Sequence, residues 1–129
     1  MNAAEARHHA ANLLHAYTEA ADARDVDAAV ALLADAEVSL PSGGFTGAEQ
    51  ARPFLERAWA TSTTQRHDVS SLAVHPAGDD WVAQAHYVRW TIADEPSVHT
   101  LGHYELLLST DGGSATIRRL TVTRQWTRA

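Results

Sequence analysis

The hydrophobic positions of the chain change their period once, near residue 65. Before that point, apolar residues recur at the three-to-four-residue spacing of an amphipathic helix. After it, they alternate with polar residues at the period of a β-strand. Helices followed by strands predict an α+β fold in which a curved, mostly antiparallel sheet wraps around three N-terminal helices.

The first half of the chain predicts three helices. The first presents one apolar stripe and stops at Arg24, and Asp25 then caps a second, short helix. The third begins at Thr46–Gly47 and ends near Ser62, with Pro53 marking either a bend or a later start. The stripe of the first helix consists of Ala6, Ala10, Leu13, Leu14, Tyr17, Ala20 and Ala21.

The strands are predicted over residues 36–40, 66–75, 81–93, 98–109 and 115–126. The last four are separated by short links rich in Gly, Pro and Asp, which predicts an antiparallel meander. Their residues are apolar or aromatic on both faces, although a sheet with one wet face alternates more cleanly. We therefore expect one face to line the core or a pocket and the other to form a homodimer.

Composition limits the classes of function. The length of 129 residues favours a single domain over residues 1–129, and the net charge of -6 argues against a nucleic-acid partner. The chain has no cysteine, which excludes disulfides and thiolate metal sites. It has neither a membrane-length apolar run nor a signal core, so we expect a cytoplasmic protein that binds no membrane.

Histidines are the main source of chemistry near neutral pH, because the chain contains eight of them. Three lie on the first helix, at His8, His9 and His15, at spacings that match no metal motif. We interpret them as surface residues and expect no metal and no cofactor.

Asp22 is an unusual residue in the predicted last turn of the first helix. A carboxylate there faces the negative end of the helix dipole, which costs about 0.3–1 kcal/mol. Either Asp22 is a solvated residue before a turn, or its carboxylate points into a cavity.

The order and spacing of these elements resemble the nuclear-transport-factor-two-like superfamily, which includes ketosteroid isomerase, scytalone dehydratase and the SnoaL-like polyketide cyclases. The resemblance covers nearly the whole chain and implies a conical α+β barrel with a deep, mostly apolar internal pocket. The segments that carry it are residues 17–27, 32–38, 45–49, 65–71, 102–105 and 111–113.

Two residues match the scytalone dehydratase-like and dehydrochlorinase-like members. The resemblance implies that Asp22 is the pocket carboxylate and His67 the catalytic histidine, a general base that the carboxylate orients. Without that role, His67 is a histidine at a strand start bonded to a backbone carbonyl. The residue sets of the epoxide hydrolases and of ketosteroid isomerase have no match in this chain.

Further residues are candidates for substrate binding. Tyr17 lies on the buried stripe, where its hydroxyl faces either the pocket or the backbone. By the strand period His103 shares a face with His99 and Leu101, which is turned either to the pocket or to solvent. The candidates for contact with substrate are Tyr17, Phe54, Trp59, Trp90, Leu101, His103 and Trp126.

The sequence therefore predicts a cofactor-independent enzyme that uses a His–Asp pair as general acid and base. Dehydration, isomerisation or cyclisation of a mid-sized, apolar, polyketide-like or steroid-like molecule fits this chemistry. Two alternatives stay open: a non-catalytic domain that binds a hydrophobic ligand, and a dimerisation domain whose outer sheet face is the functional surface.

Overall fold

The computed structural model describes residues 1–129 and places the helices before the long strands. The helices are α1 (Ala3–Ala23), α2 (Val26–Leu32) and α3 (Gly47–Ala58). The strands are β1 (Glu37–Leu40), β2 (Gly43–Thr46), β3 (Gln65–Ala77), β4 (Asp80–Thr91), β5 (Ser97–Asp111) and β6 (Ser114–Thr127). No helix combines the length and hydropathy that a membrane crossing requires.

The six strands form one sheet in the order β2-β1-β6-β5-β4-β3. Strand β1 pairs with β6 in parallel, and every other pairing is antiparallel. Bulges in the long strands curve the sheet, but its two edge strands, β2 and β3, do not pair with each other, so the barrel is not closed. The predicted α+β class and the antiparallel meander are confirmed.

Local capping explains where the first two helices begin and end. The side chain of Asn2 accepts a hydrogen bond from the Glu5 amide at the start of α1. Arg24 ends α1 in the left-handed region, with φ of 53°, and the Asp25 side chain then accepts from the Ala28 amide to start α2. The predicted boundary between the two helices is therefore confirmed.

The core lies between the helices and the concave face of the sheet. The buried stripe of α1 packs against inward side chains of β4, β5 and β6. Small residues on α1 and β4, such as Ala10 and Ala83, are fully buried and allow the helix to lie close to the sheet. The largest fully buried side chains are Tyr104, Leu14, Leu33, Leu55, Leu106, Leu108, Ile117, Leu120 and Thr100.

Two local predictions were wrong. The sequence predicts a turn over residues 41–44, but Gly43 and Gly44 belong to strand β2, because the turn needs only Pro41 and Ser42 between the paired ends Leu40 and Gly43. Helix α3 ends at Ala58 rather than near Ser62, since the threonines that follow bond to one another locally. It also contains Pro53 in its interior instead of starting there.

Candidate active site

A cavity of about 480 Å³ opens between the C-terminal end of α1 and the concave face of strands β3–β6. Only eight of its 19 lining residues are hydrophobic, so the expectation of a mostly apolar pocket was wrong. Arginine, histidine, glutamine and threonine side chains contribute the rest of the wall. A cavity of this size holds a mid-sized organic molecule.

Asp22 and His67 form a close pair at this cavity. The Nδ1 atom of His67 lies 2.5 Å from Oδ1 of Asp22, and the backbone N–H of His67 donates to Oδ2 over 2.9 Å. An ionised carboxylate only accepts hydrogen bonds, so in the neutral imidazole Nδ1 carries the proton and Nε2 is the acceptor. The side chain of His67 is only 11% exposed, and the residue lines the cavity.

Two further contacts hold the end of α1 against the start of β3. The Gln65 side chain donates to the carbonyl oxygen of Ala21 over 3.2 Å, and the Arg24 guanidinium donates to the Thr63 carbonyl oxygen. The left-handed backbone of Arg24, two residues after Asp22, turns the chain away and leaves this carboxylate free to meet β3. The pair is thus fixed by backbone contacts on both sides.

Three tyrosines, Tyr17, Tyr87 and Tyr104, line the cavity beside His67. The rings of Tyr87 and Tyr104 stack at 4.5 Å, and Tyr17 meets Tyr104 edge-on at 6.1 Å. Burial is the largest cause that raises the pKa of all three hydroxyls above the ordinary value. They therefore stay protonated at neutral pH and can donate hydrogen bonds.

Gly102 makes room for Tyr87. A Cβ atom at position 102 would lie 2.2–2.4 Å from three atoms at the tip of the Tyr87 ring, including its hydroxyl oxygen. Gly102 pairs with Tyr87 on one side and with Arg124 on the other, so the ring crosses β5 towards β6. Only glycine leaves that path open.

The wall opposite α1 is cationic. One guanidinium nitrogen of Arg89 lies 2.9 Å from Nδ1 and 3.3 Å from Nε2 of His99. Burial is the largest cause that lowers the pKa of Arg89, and the nearby charge of Arg124 is the next. Burial, followed by Arg89 and Arg124, lowers the pKa of His99. His99 is therefore a neutral imidazole at neutral pH, which can accept from Arg89.

The structure brings only some of the predicted site residues together. Asp22 and His67 are paired, and Tyr17 and Trp59 line the cavity with His67. Phe54 does not reach the cavity, because its ring packs on Phe45 at 5.1 Å between α3 and the β1–β2 hairpin. Its predicted contact with substrate is therefore corrected to a packing role.

Four other candidates lie on the outer face of the sheet, and their predicted place in the pocket was wrong. The buried residues of β5 are Thr100, Gly102, Tyr104, Leu106 and Leu108, so the period of two turns the residues between them outwards. The outward residues are Trp90, bonded to Asp68 at 3.0 Å, His103, edge-on to His86 at 5.6 Å, and the exposed pair Leu101 and Trp126.

Sequence reasoning missed Gln65, Tyr87, Arg89, Tyr104 and Arg124 as cavity residues. The inward parity of β4 was readable from the small residues Ala83 and Ala85, which place residues 87 and 89 on the same face. The position of His99 had no such signal. It is the extra residue of a bulge, since Arg89 pairs with Thr100 and Trp90 with Val98.

No group of three or more His, Cys, Asp or Glu side chains is arranged to hold a metal ion.

In sequence, the family model described as SnoaL-like domain matches residues 2–121. None of the curated proteins matches the chain.

Solved structures of low identity share the fold. A hexachlorocyclohexane dehydrochlorinase, LinA type 2, is 14% identical, with a TM-score of 0.80 over 95% of this chain and 86% of that one. ActVI-ORFA from Streptomyces coelicolor is 19% identical, with a TM-score of 0.79 over 91% and 95%. A protein from Novosphingobium aromaticivorans provisionally named scytalone dehydratase is 16% identical, with a TM-score of 0.76 over 94% and 85%.

Proposed function

This chain belongs to the SnoaL-like domain family, and from that premise we propose that it is a cofactor-independent enzyme that removes a proton from carbon. His67 is the general base and Asp22 its positioning residue. Dehydration, double-bond isomerisation and intramolecular cyclisation can all begin with this step. The substrate is an organic molecule that fits a cavity of about 480 Å³.

The observation that carries the proposal is the double hydrogen bond from His67 to Asp22. The carboxylate fixes the tautomer of the imidazole, and it stabilises the imidazolium that forms when Nε2 takes a proton. Because the backbone N–H is held by the same carboxylate, the ring has little freedom to turn away. A base held in one orientation loses little entropy when it reacts.

The negative charge left on the substrate needs a donor nearby. Tyr87 is next to the base, with its ring centroid 5.7 Å from that of His67, and Tyr104 stacks behind it. Their raised pKa values keep both hydroxyls protonated, so either can donate to an oxyanion in the cavity. In this scheme the proton moves to Nε2, and the electron pair moves to an oxygen or expels a leaving group.

The named structural neighbours are compatible with this chemistry. A dehydratase and a dehydrochlorinase both carry out eliminations, and each name describes the loss of a proton together with a leaving group. Their identities with this chain are 16% and 14%, so they support a class of reaction and not a substrate.

The two non-catalytic alternatives are less well supported. In a simple carrier of hydrophobic ligands, paired acid–base groups have no use, whereas Asp22 and His67 are in direct contact here. In a dimerisation domain, tryptophans could fill the interior, whereas only Trp59 lines the cavity and the space stays open.

A generic carbon acid tests the base without knowledge of the natural substrate. Nitrobenzisoxazole opens to a coloured nitrophenolate when a base removes its carbon-bound proton. We expect the wild type to turn it over, and His67→Gln to lower kcat/KM by roughly 10²–10⁴-fold. His75→Gln is the matched control, because it removes an exposed histidine from the same strand.

Equal rates for the wild type and His67→Gln would refute the proposed base. Circular dichroism and thermal unfolding of each variant separate a chemical effect from a loss of fold. Saturation of the rate with nitrobenzisoxazole, absent when the protein is unfolded in urea, assigns turnover to the cavity.

We also propose that the outer sheet face forms a homodimer. Leu101 and Trp126 are paired in register on this face and are 40% and 45% exposed. Sedimentation equilibrium is expected to give twice the chain mass of 14.0 kDa, and Trp126→Glu to give the single mass. A wild type that sediments as a monomer at micromolar concentration contradicts the dimer.

A further inference from the structure

The charge of the cavity wall is opposite to that of the whole chain. The protein carries 16 acidic and 10 basic residues, yet the cavity is lined by Arg24, Arg89 and Arg124 and by no aspartate or glutamate. Guanidinium groups gathered on a concave, partly desolvated surface repel one another and attract anions. The arrangement indicates a ligand that carries negative charge.

Of the three arginines, Arg89 gives the strongest indication of an anionic ligand. Its guanidinium is half-buried, and its side-chain hydrogen bond goes to the neutral ring of His99, which leaves its charge uncompensated. Elsewhere in the chain, exposed arginines do have carboxylate partners, as Arg52 has in Asp27 and Arg66 in Asp68. The lack of a carboxylate partner at Arg89 is therefore a specific feature of the cavity, because arginines elsewhere in the chain do have such partners.

Arg124, on strand β6, lines the same cavity as Arg89. It lies opposite Gly102, whose missing side chain lets the tip of the Tyr87 ring cross β5 towards it. Both arginines act on the Tyr87 hydroxyl, since they oppose the burial that raises its pKa. Two guanidinium groups and one protonated hydroxyl thus converge on one part of the wall.

We propose that Arg89, Arg124 and the Tyr87 hydroxyl form a subsite for a carboxylate group, so that the ligand of the cavity is an aromatic or otherwise apolar acid. A planar carboxylate accepts two parallel hydrogen bonds from the fork of one guanidinium, and a neutral group lacks the charge that strengthens them. This assignment rests on the proposed function in one respect, because it names the substrate class of the cavity that holds His67.

The rest of the wall suits the apolar part of such an acid. Tyr17, Trp59 and Val122 line the cavity and provide aromatic and aliphatic surface. His67 is the cross-strand partner of Arg89 in the register of β3 and β4, and its ring lies 5.7 Å from that of Tyr87 between centroids. A carboxylate held by the arginines therefore places the neighbouring carbons of the ligand towards the base.

Binding of naphthoate and of its neutral analogue naphthamide, measured by isothermal titration calorimetry, tests the subsite directly. We expect naphthoate to bind at least about tenfold more tightly than naphthamide, because only naphthoate forms charge-assisted hydrogen bonds. Arg89→Gln and Arg124→Gln are each expected to remove most of this preference, whereas Arg89→Lys keeps part of it. Arg119→Gln is the matched control, an exposed arginine on the other face of β6.

Equal affinities for the two compounds overturn the subsite, as does a preference that survives both glutamine variants. The affinity of His67→Gln for naphthoate distinguishes this proposal from that of the base. If His67→Gln keeps the preference for naphthoate over naphthamide, and neither the wild type nor any variant turns over nitrobenzisoxazole, the anion subsite stands and the proposed enzyme fails. If turnover depends on His67 while naphthoate gains nothing over naphthamide, the enzyme stands and the subsite fails.

Discussion

Asp22 accepts two hydrogen bonds from one residue, and this double contact fixes both the ring and the backbone of His67. The aspartate sits in the last turn of α1, where the helix dipole disfavours its charge. The contacts from His67 offset that cost, because a carboxylate with two N–H donors is stabilised. The helix dipole disfavours an aspartate at this position, and the contacts with His67 explain why one is found there.

Replacement of Asp22 by asparagine should lower kcat for nitrobenzisoxazole by roughly 10²–10⁴-fold with little change in KM. The amide no longer stabilises the imidazolium and no longer selects the Nδ1–H tautomer. The hydrogen-bonded Nδ1 proton, visible as a downfield line in proton NMR, should disappear with it. Asp68→Asn, on the outer face of β3, is the control, and an unchanged kcat in Asp22→Asn would exclude the positioning role.

Gly102 is a second residue whose role is set by a neighbour. In Gly102→Ala, the new Cβ would meet the Tyr87 ring at 2.2–2.4 Å, so the ring must move. We expect a loss of about 1–3 kcal/mol in the free energy of unfolding, measured in urea. The double variant Gly102→Ala with Tyr87→Leu should lose much less than the sum of the two single changes, and additive losses would contradict the clash.

At the scale of elements, the site depends on where α1 ends and β3 begins. The left-handed Arg24 stops the helix, and Gln65 and Arg24 bond across the gap to Ala21 and Thr63. Bulges then decide which strand residues face the cavity, as at His99. Secondary structure alone thus supplies the scaffold, while irregular positions aim the side chains.

The stability of helix α3 is lowered by a proline in its interior, and this can be tested. Pro53 lies inside Gly47–Ala58 and is exposed, so it removes one helical hydrogen bond without any contact in the core. Pro53→Ala should raise the free energy of unfolding by about 2 kcal/mol. Alanine favours the helix, but this gain is reduced because the unfolded chain without the proline has more conformational freedom. Thermal and urea unfolding measure it, and a less stable variant would show that the proline shapes the helix.

At the scale of the whole molecule, charge is separated between surface and cavity. The chain carries a net charge of -6, whereas the cavity presents arginines without acidic partners. The stability of the folded protein should therefore change when a group of the cavity wall takes up a proton. His99 is the group on which this effect can be measured, because it faces Arg89, Arg124 and Arg128.

His99 has a lowered pKa in the folded protein, caused first by burial and then by these arginines. The unfolded chain binds its proton more readily, so stability is lost as the pH falls below the unfolded value of about 6.5. The midpoint of thermal unfolding should fall more steeply between neutral pH and about pH 5.5 in the wild type than in His99→Gln. Equal slopes would contradict the assigned effect.

The sequence by itself determined the fold class and the elements. The change of hydrophobic period near residue 65, the cap at Asp25 and the turns between long strands fixed the helices and the meander, because these signals are local. It missed the edge strand β2 and the parallel pairing of β1 with β6, since a four-residue strand has almost no pattern of its own.

Only the tertiary structure decided which side chains meet. Asp22 and His67 are 45 residues apart, and their contact depends on how α1 docks on β3. Strand parity turned His103 outwards and Tyr104 inwards, and a bulge brought His99 to the wall, because one inserted residue reverses a face. The cationic wall was invisible for the same reason: its arginines are scattered in sequence and gathered only by the folding of the sheet.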